Sequence, residues 1–280
     1  MSLIDLILNL AGLLLWVSWR YVPFDPLTKI RPATLTGTLR RAEPLRVRRW
    51  HFLAALLCLL LVRTVFYWWL GPALDWTPSI ELGAVSISFR SDIFRRMLLF
   101  SSASFGNVLL SFYLCLILLS VANPPGLEAN PWQRFVRIQL GAMRHWPWAL
   151  RALMPFLAMA VTWMIAAPLL AKWQIVPATH SWRHLAEQSV LLGANVYLQW
   201  KYLIGAVLSL HLLNSYVYLG SQPIWDFVNA TGARLLSPLR RIPLRLGKAD
   251  FAPVVGIALV FVFAEFAQRL LNLLFAELPI

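Results

Sequence analysis

Charge is scarce in this sequence. Asp, Glu, Lys and Arg make up 13% of the 280 residues, about half the share typical of a water-soluble domain. So few charges cannot clothe a soluble globule of this size, which argues against a soluble enzyme or binding module. Cysteine is scarcer still. Cys58 and Cys115 both lie inside apolar runs, which excludes a disulfide framework and leaves them as small buried hydrophobes. There is no glycine-rich phosphate loop, no HExxH pair and no arguable Ser/His/Asp constellation. Enzymatic activity is therefore not expected, and neither is a cofactor.

Acid is also in short supply, with 12 Asp+Glu against 25 Lys+Arg and a net charge of +13. In a soluble chain that balance points to nucleic acid. Here 59% of the residues are hydrophobic, so the bilayer is the fitting solvent and anionic lipid the fitting counter-charge. No nucleic-acid partner is expected.

Six apolar runs are long enough to cross the hydrocarbon, near Leu3–Trp19, Phe52–Leu70, Met97–Val121, Ala152–Ala171, Val190–Leu219 and Phe251–Phe275. The first is short and holds Asp5 and Asn9. Its start lacks a basic n-region, and no small-x-small cleavage site precedes Arg20, so it reads as a retained span. The fifth is long enough to tilt or protrude. Many tryptophans sit at span ends (Trp16, Trp19, Trp50, Trp68, Trp69, Trp146, Trp148 and Trp173) and read as an anchoring aromatic belt.

Lys and Arg are unevenly shared among the loops. Eight lie from Arg20 to Trp50, four from Ala122 to Arg151 and five from Gly220 to Asp250. If all six runs cross, these loops share one side, and the excess of positive charge makes that side the cytoplasm. Both termini are then outside. The predicted fold class is an all-α membrane protein, with six transmembrane helices as three repeated hairpins closed by cytoplasmic amphipathic loop helices. The segments are a first hairpin (1–71), an outer loop (72–96), a second hairpin (97–176), a second outer loop (177–189) and a third hairpin (190–280). In the first outer loop, Val85, Ile87 and Phe89 alternate, and this period of two predicts a short strand or an irregular surface loop.

The hairpins read as copies of one unit. Laying residues 1–62 over 201–262 without gaps puts Pro23 on Pro223, Ala33 on Ala233, and Leu35, Leu39, Arg40 and Arg41 on Leu235, Leu239, Arg240 and Arg241. Pro131, Phe135 and Val136 of the middle hairpin answer to Pro223, Phe227 and Val228, and Pro155 answers to Pro253. Each loop carries apolar residues at helical spacing: Ile224, Phe227, Val228, Thr231 and Leu235; Trp132, Phe135, Val136, Leu140 and Met143; and more weakly Leu27, Ile30 and Leu35. Such helices lie in the headgroup plane or pack on the protein's own spans.

The run from Ala233 to Phe263 resembles the pattern of the YggT family. Pro238, Arg240, Arg241, Pro243, Gly247, Asp250, Phe251 and Pro253 stand where that pattern has its prolines, paired arginines, glycine and aspartate. Ala252 replaces the usual serine and Lys248 the second glycine. The resemblance covers about thirty residues and implies a small helical membrane protein of bacteria and plastids. It implies a bacterial inner membrane location and a role in membrane-complex assembly, in plastids including haem attachment to a cytochrome. Links to ion homeostasis and division also belong to the family. It brings no catalytic residue.

The same residues have a direct physical reading. Pro253 suits the first turn of the sixth helix, Asp250 is placed to cap it, and Gly247 permits a sharp turn. Arg240, Arg241, Arg245 and Lys248, with Arg40 and Arg41, are candidates for binding anionic lipid or an acidic partner. Arg63, Lys201 and Glu265 are charges inside spans, expected to pair as Lys201–Glu265 or Arg63–Glu265. His180 and His184 stand one turn apart, but no third ligand accompanies them, so no metal site is assigned. The expected function is non-catalytic: assembling, scaffolding or stabilising a larger membrane complex with other membrane proteins and lipid. The alternative is an ion channel or transporter, to which hairpin repeats and buried charges are also suited.

Overall fold

The computed structural model describes residues 2–21, 49–82, 85–123, 130–177, 181–217, 220, 222–239, 245–246 and 249–276. Within them, six helical runs are long and apolar enough to cross a membrane: Leu3–Arg20, Arg49–Leu70, Phe94–Ala122, Trp148–Lys172, Trp182–Tyr216 and Ala252–Ala276. They coincide with the six expected spans, and the chain is a multi-pass membrane protein. The basic loop around Arg40 and Arg41, with Leu27, Ile30 and Leu35, lies outside the described residues, as do Arg240, Arg241, Pro243, Gly247, Lys248 and His180.

The chain divides into two compact units. The first comprises Met1–Pro78 and Phe89–Leu109. In it α1 (Ser2–Tyr21) and α2 (Arg49–Leu70) pack along each other. Both present leucine-rich outer faces: Leu3, Leu6, Leu10 and Leu14 on α1, and Leu57, Leu61 and Val65 on α2, are exposed at helical spacing, as lipid-facing stripes are. The inner face of α2 is formed by Leu56, Arg63, Thr64 and Tyr67. The first half of α3 (Phe94–Ala122) completes the unit. A Cβ on Gly12 would come within 2.9 Å of the Phe105 ring, so α1 is seated against α3 through a glycine. Tyr67, Trp76, Phe89 and Phe100 stack at one end, with Trp76 edge-on to Phe100 at 5.8 Å between centroids.

The second unit comprises Ser79–Ser88 and Leu110–Ile280. Its β1 (Ser79–Glu81) and β2 (Ser86–Ser88) pair antiparallel, with Ile80 opposite Ile87 and both buried. The alternation at Val85, Ile87 and Phe89 thus marks a real strand, because the two isoleucines share one face of the pleat.

Helix α4 (Pro131–Leu140) begins as its sequence directs: Asn130 accepts from the Trp132 amide at 2.9 Å, and Pro131 fills the first turn. Gly141, at φ 56°, ends it. Its buried face differs from the expected one. Val136 and Leu140 are buried with Gln133 and Gln139, while Trp132 is exposed. Helix α8 (Pro223–Leu235) buries Phe227, Val228, Thr231 and Gly232. Leu116, Ile117, Val136, Leu140 and Phe227 form one core, so α3, α4 and α8 meet there.

Helix α5 (Trp148–Lys172) packs along α6 (Trp182–Asn195), and α7 (Trp200–Tyr216) packs on α8 and α9 (Ala252–Ala276). Pro155 lies inside α5, whereas Pro253 sits in the first turn of α9. The two prolines that align in sequence therefore hold different helical positions, because α5 starts about two turns earlier, at Trp148. A two-residue hairpin, β3 (Arg245–Leu246) with β4 (Ala249–Asp250), precedes α9. Asp250 pairs with Arg245 there, and the helix begins at Ala252, so Phe251 rather than Asp250 immediately precedes it.

Gly232 carries the contact between α7 and α8. A Cβ there would come 2.7 Å from the Cβ and Cγ of His211. Gly232→Ala gains about 1 kcal/mol in helix propensity but overpacks a tight seam at a cost of about 1–3 kcal/mol. A net fall in the melting temperature in mild detergent is expected. Unchanged or raised stability would show that the two helices can part without cost.

Candidate functional site

Three apolar helices of the first unit each contribute polar side chains to one buried cluster. Asp5 and Asn9 stand one turn apart on α1, Arg63 and Tyr67 one turn apart on α2, and Ser104 lies on α3. Arg63 is 2% exposed, Tyr67 0% and Asn9 6%, while the Asp5 side chain, 22% exposed, sits at the edge of the group. Arg63 NH1 donates to Asn9 Oδ1 at 2.7 Å, and NH2 donates to Asp5 Oδ1 and, at 2.9 Å, to Ser104 Oγ. Tyr67 donates its hydroxyl to Asp5 Oδ1 at 2.7 Å, and Asn9 Nδ2 donates to Ser104 Oγ at 3.1 Å. The guanidinium carbon lies 5.4 Å from the Tyr67 ring centroid and 5.7 Å from that of Phe100.

Unpaired, an arginine in the hydrocarbon is costly. With Asp5 beside it, the cluster is neutral, and three hydrogen-bonding neighbours, Asn9, Asp5 and Ser104, satisfy both terminal nitrogens. Breaking any one contact leaves a buried charge or dipole without its partner. The arrangement sets the register of α1, α2 and α3.

In the second unit a seam of polar groups joins the end of α3 to α4 and α8. Asn123 Nδ2 donates to Thr231 Oγ1 at 2.7 Å, and Thr231 donates on to the Phe227 carbonyl. Arg234 reaches the Ala122 carbonyl and Asn123 Oδ1, at 3.3 and 3.4 Å. Asn130 Nδ2 donates to the Pro223 carbonyl at 2.8 Å, tying the start of α4 to the start of α8. Asn123, Asn130 and Thr231 are all buried. Pro223 opens α8, and Pro238 lies in the turn beyond it.

The fifth span tightens part-way along. Between α6 and α7 a 3-10 turn runs from Val196 to Gln199. Side chains around it are anchored on carbonyls: Tyr197 OH donates to Ala152 at 2.6 Å, Asn195 Nδ2 to Leu82 at 3.1 Å and Trp200 Nε1 to Leu114 at 3.1 Å. Ser111 Oγ donates to Gln199 Oε1 at 2.6 Å at the edge of an open cleft of about 430 Å³, lined also by Leu114, Cys115, Trp200 and Tyr202.

The three charges singled out in the sequence are not brought together. Arg63 has Asp5 as its ion-pair partner. Lys201 Nζ donates to Gln268 Oε1 at 3.3 Å and sits 5.2 Å from the Tyr202 ring centroid. Glu265 accepts from Arg269 Nε at 3.2 Å, one turn along its own helix. In place of the expected Lys201–Glu265 and Arg63–Glu265 pairs, Arg63 takes Asp5 and Lys201 takes Gln268, each from another helix, and Glu265 takes Arg269 at i, i+4 on its own helix. His184 Nδ1 lies 3.3 Å from Glu187 Oε2. Among the described residues no group of three His, Cys, Asp or Glu is placed to hold a metal ion. Arg245 and Asp250 are defined by their backbone pairing.

Asp5, Asn9, Tyr67 and Ser104 were missed as site residues, though a signal existed. Asn9 lies seven residues from the start of α1 and Arg63 seven residues from the end of α2. In an antiparallel hairpin at about 1.5 Å per residue, both sit at one depth.

Most of the fifth span, α8, the short hairpin and most of α9 fall within one stretch, residues 188–271, that matches the CCB3/YggT family model. This segment, residues 188–271, carries the YggT-family signature. The match reaches well beyond the run from Ala233 to Phe263, taking in most of the fifth span upstream and most of the sixth downstream. The YggT segment thus contains Lys201, Thr231, Arg234, Glu265 and Arg269, while the Arg63 cluster lies outside it. No curated protein and no solved structure matches the chain.

Proposed function

We propose that this chain, with its YggT-family segment, is a non-catalytic, multi-pass protein of the bacterial inner membrane that assembles or stabilises a larger membrane-protein complex. Both termini are outside, and three related hairpins present basic, amphipathic loops to the cytoplasm. Those loops engage anionic lipid headgroups and the protein partners.

The observation that carries the reading is how the polar groups inside the helices are used. Arg63, Asp5, Asn9 and Ser104 bond to one another, as do Asn123, Thr231 and Arg234. Polar side chains spent on joining helices make a rigid scaffold, and a scaffold with large apolar outer faces suits a role in assembly. The YggT segment supports the same role.

The test is purification from native membranes in mild detergent, followed by stoichiometric analysis. Co-purifying membrane proteins in fixed ratio are expected. A partnerless, monodisperse protein that carries potassium flux when placed in liposomes would overturn the reading in favour of a channel or transporter.

A further inference from the structure

Glu265 and Arg269 form an ion pair with both side chains largely exposed, 58% and 76% respectively. Glu265 sits one residue from the midpoint of the 25-residue helix α9. It is about 16 Å from one end and about 20 Å from the other, at 1.5 Å per residue. A helix of that length spans a hydrocarbon core of about 30 Å, so the pair stands at membrane depth. There, charged side chains ordinarily face the protein interior, a water-filled cavity or another helix.

The pair belongs to a stripe. Ala258, Val262, Glu265, Arg269, Asn272 and Ala276 are all exposed and follow one another at alternating spacings of four and three. That is the seam of a left-handed helix pair. At about 100° per residue the stripe lies on the face opposite Gly256, which is packed against Leu208, Leu236 and Leu239. Phe263 is also exposed but stands about 140° round the helix from the centre of the stripe. Small residues at the two ends allow close helix approach, and polar residues in the middle supply the bonds that hold membrane helices together.

We propose that this stripe is the contact face of a parallel homodimer, with α9 of one copy packed on α9 of a second. The stripe is its own complement. A two-fold axis along the membrane normal brings each residue opposite its twin, so Glu265 of each copy neighbours Arg269 of the other and the four charges form a neutral ring. Asn272, which has both a donor and an acceptor, pairs with itself across the same axis. A lipid neighbour offers none of these bonds.

The test uses the full chain with Cys58 and Cys115 replaced by alanine, kept in native-type membranes. Val262→Cys is expected to give an oxidised product of about twice the 31.9 kDa monomer mass. Phe263→Cys, off the stripe, is expected to give at least tenfold less. Equal crosslinking at both positions, or a product of a different mass formed with another protein, overturns the proposal.

A second arm removes the pairing within α9. Glu265→Arg and Arg269→Glu, each expressed alone, are expected to dimerise about tenfold more weakly, the loss of one interhelical polar contact. Co-expressed with distinguishable tags, the two variants have no internal ion pair but complementary faces, and a restored mixed dimer is expected. Failure of the mixed dimer to exceed the single variants overturns the proposal even if the wild type dimerises. The inference is independent of the assembly role: a homodimer without further partners, or a complex containing one copy, separates the two.

Discussion

Arg63→Met is expected to destabilise the protein by about 3–5 kcal/mol, the cost of leaving a buried ion pair with one member. Asp5 would keep its Tyr67 contact but lose the guanidinium, and Asn9 and Ser104 would lose their shared donor. The measurement is thermal unfolding of the purified protein in mild detergent. Asp5→Asn in the Arg63→Met background is expected to recover much of the loss, because it removes the stranded charge. Hydrophobic replacement of a whole buried pair is often nearly neutral. Additive losses would show that Asp5 and Arg63 do not act as a unit. Arg63→Lys is expected to fall between the two, since an ammonium cannot span Asn9, Asp5 and Ser104 from one planar group.

The second large effect is expected in the other unit. Asn123→Leu removes the bond to Thr231 and one acceptor of Arg234, and places an apolar side chain among groups that must still be satisfied. A loss of about 1–3 kcal/mol follows from the unsatisfied partners. Its position matters more than its size. Amide hydrogen exchange in α8 is expected to rise, while exchange in α1 and α2, which share no bond with Asn123, stays as it was. Uniform deprotection of all helices would show that the seam is not a local lock. No change in α8 would show that Phe227 and Val228 hold that helix by apolar contact alone.

Much of this molecule is legible in one dimension. The six spans follow from run length, because a helix that must satisfy every backbone group in hydrocarbon needs about 20 apolar residues whatever its neighbours. The strand at Ile87 follows from its period of two. The N-terminus of α4 follows from Asn130 and Pro131, since capping depends on adjacent residues only. The YggT pattern was legible for the same reason: it is a contiguous run.

The polar contacts were less legible. Leu-rich spans look alike, so nothing in Arg63 alone says whether Asp5 or Glu265 will stand beside it. Buried Gln133 and Gln139 defeated an apolar count on α4; Gln133 donates to the Asn123 carbonyl beyond the end of α3. The backbone pairing of Asp250 with Arg245, two residues before α9, was not legible either.

The sequence by itself determined that this chain lives in a membrane, how many times it is long enough to cross, and which family its later segment belongs to. These rest on composition, run length and local order, and no long-range contact can change them. Tertiary structure alone decided which charge neutralises Arg63, what ties α8 to the end of α3, and that Glu265 and Arg269 face outward at the middle of α9. A helix fixes the angle between its own side chains but not the angle at which it meets another, and only packing sets that second angle.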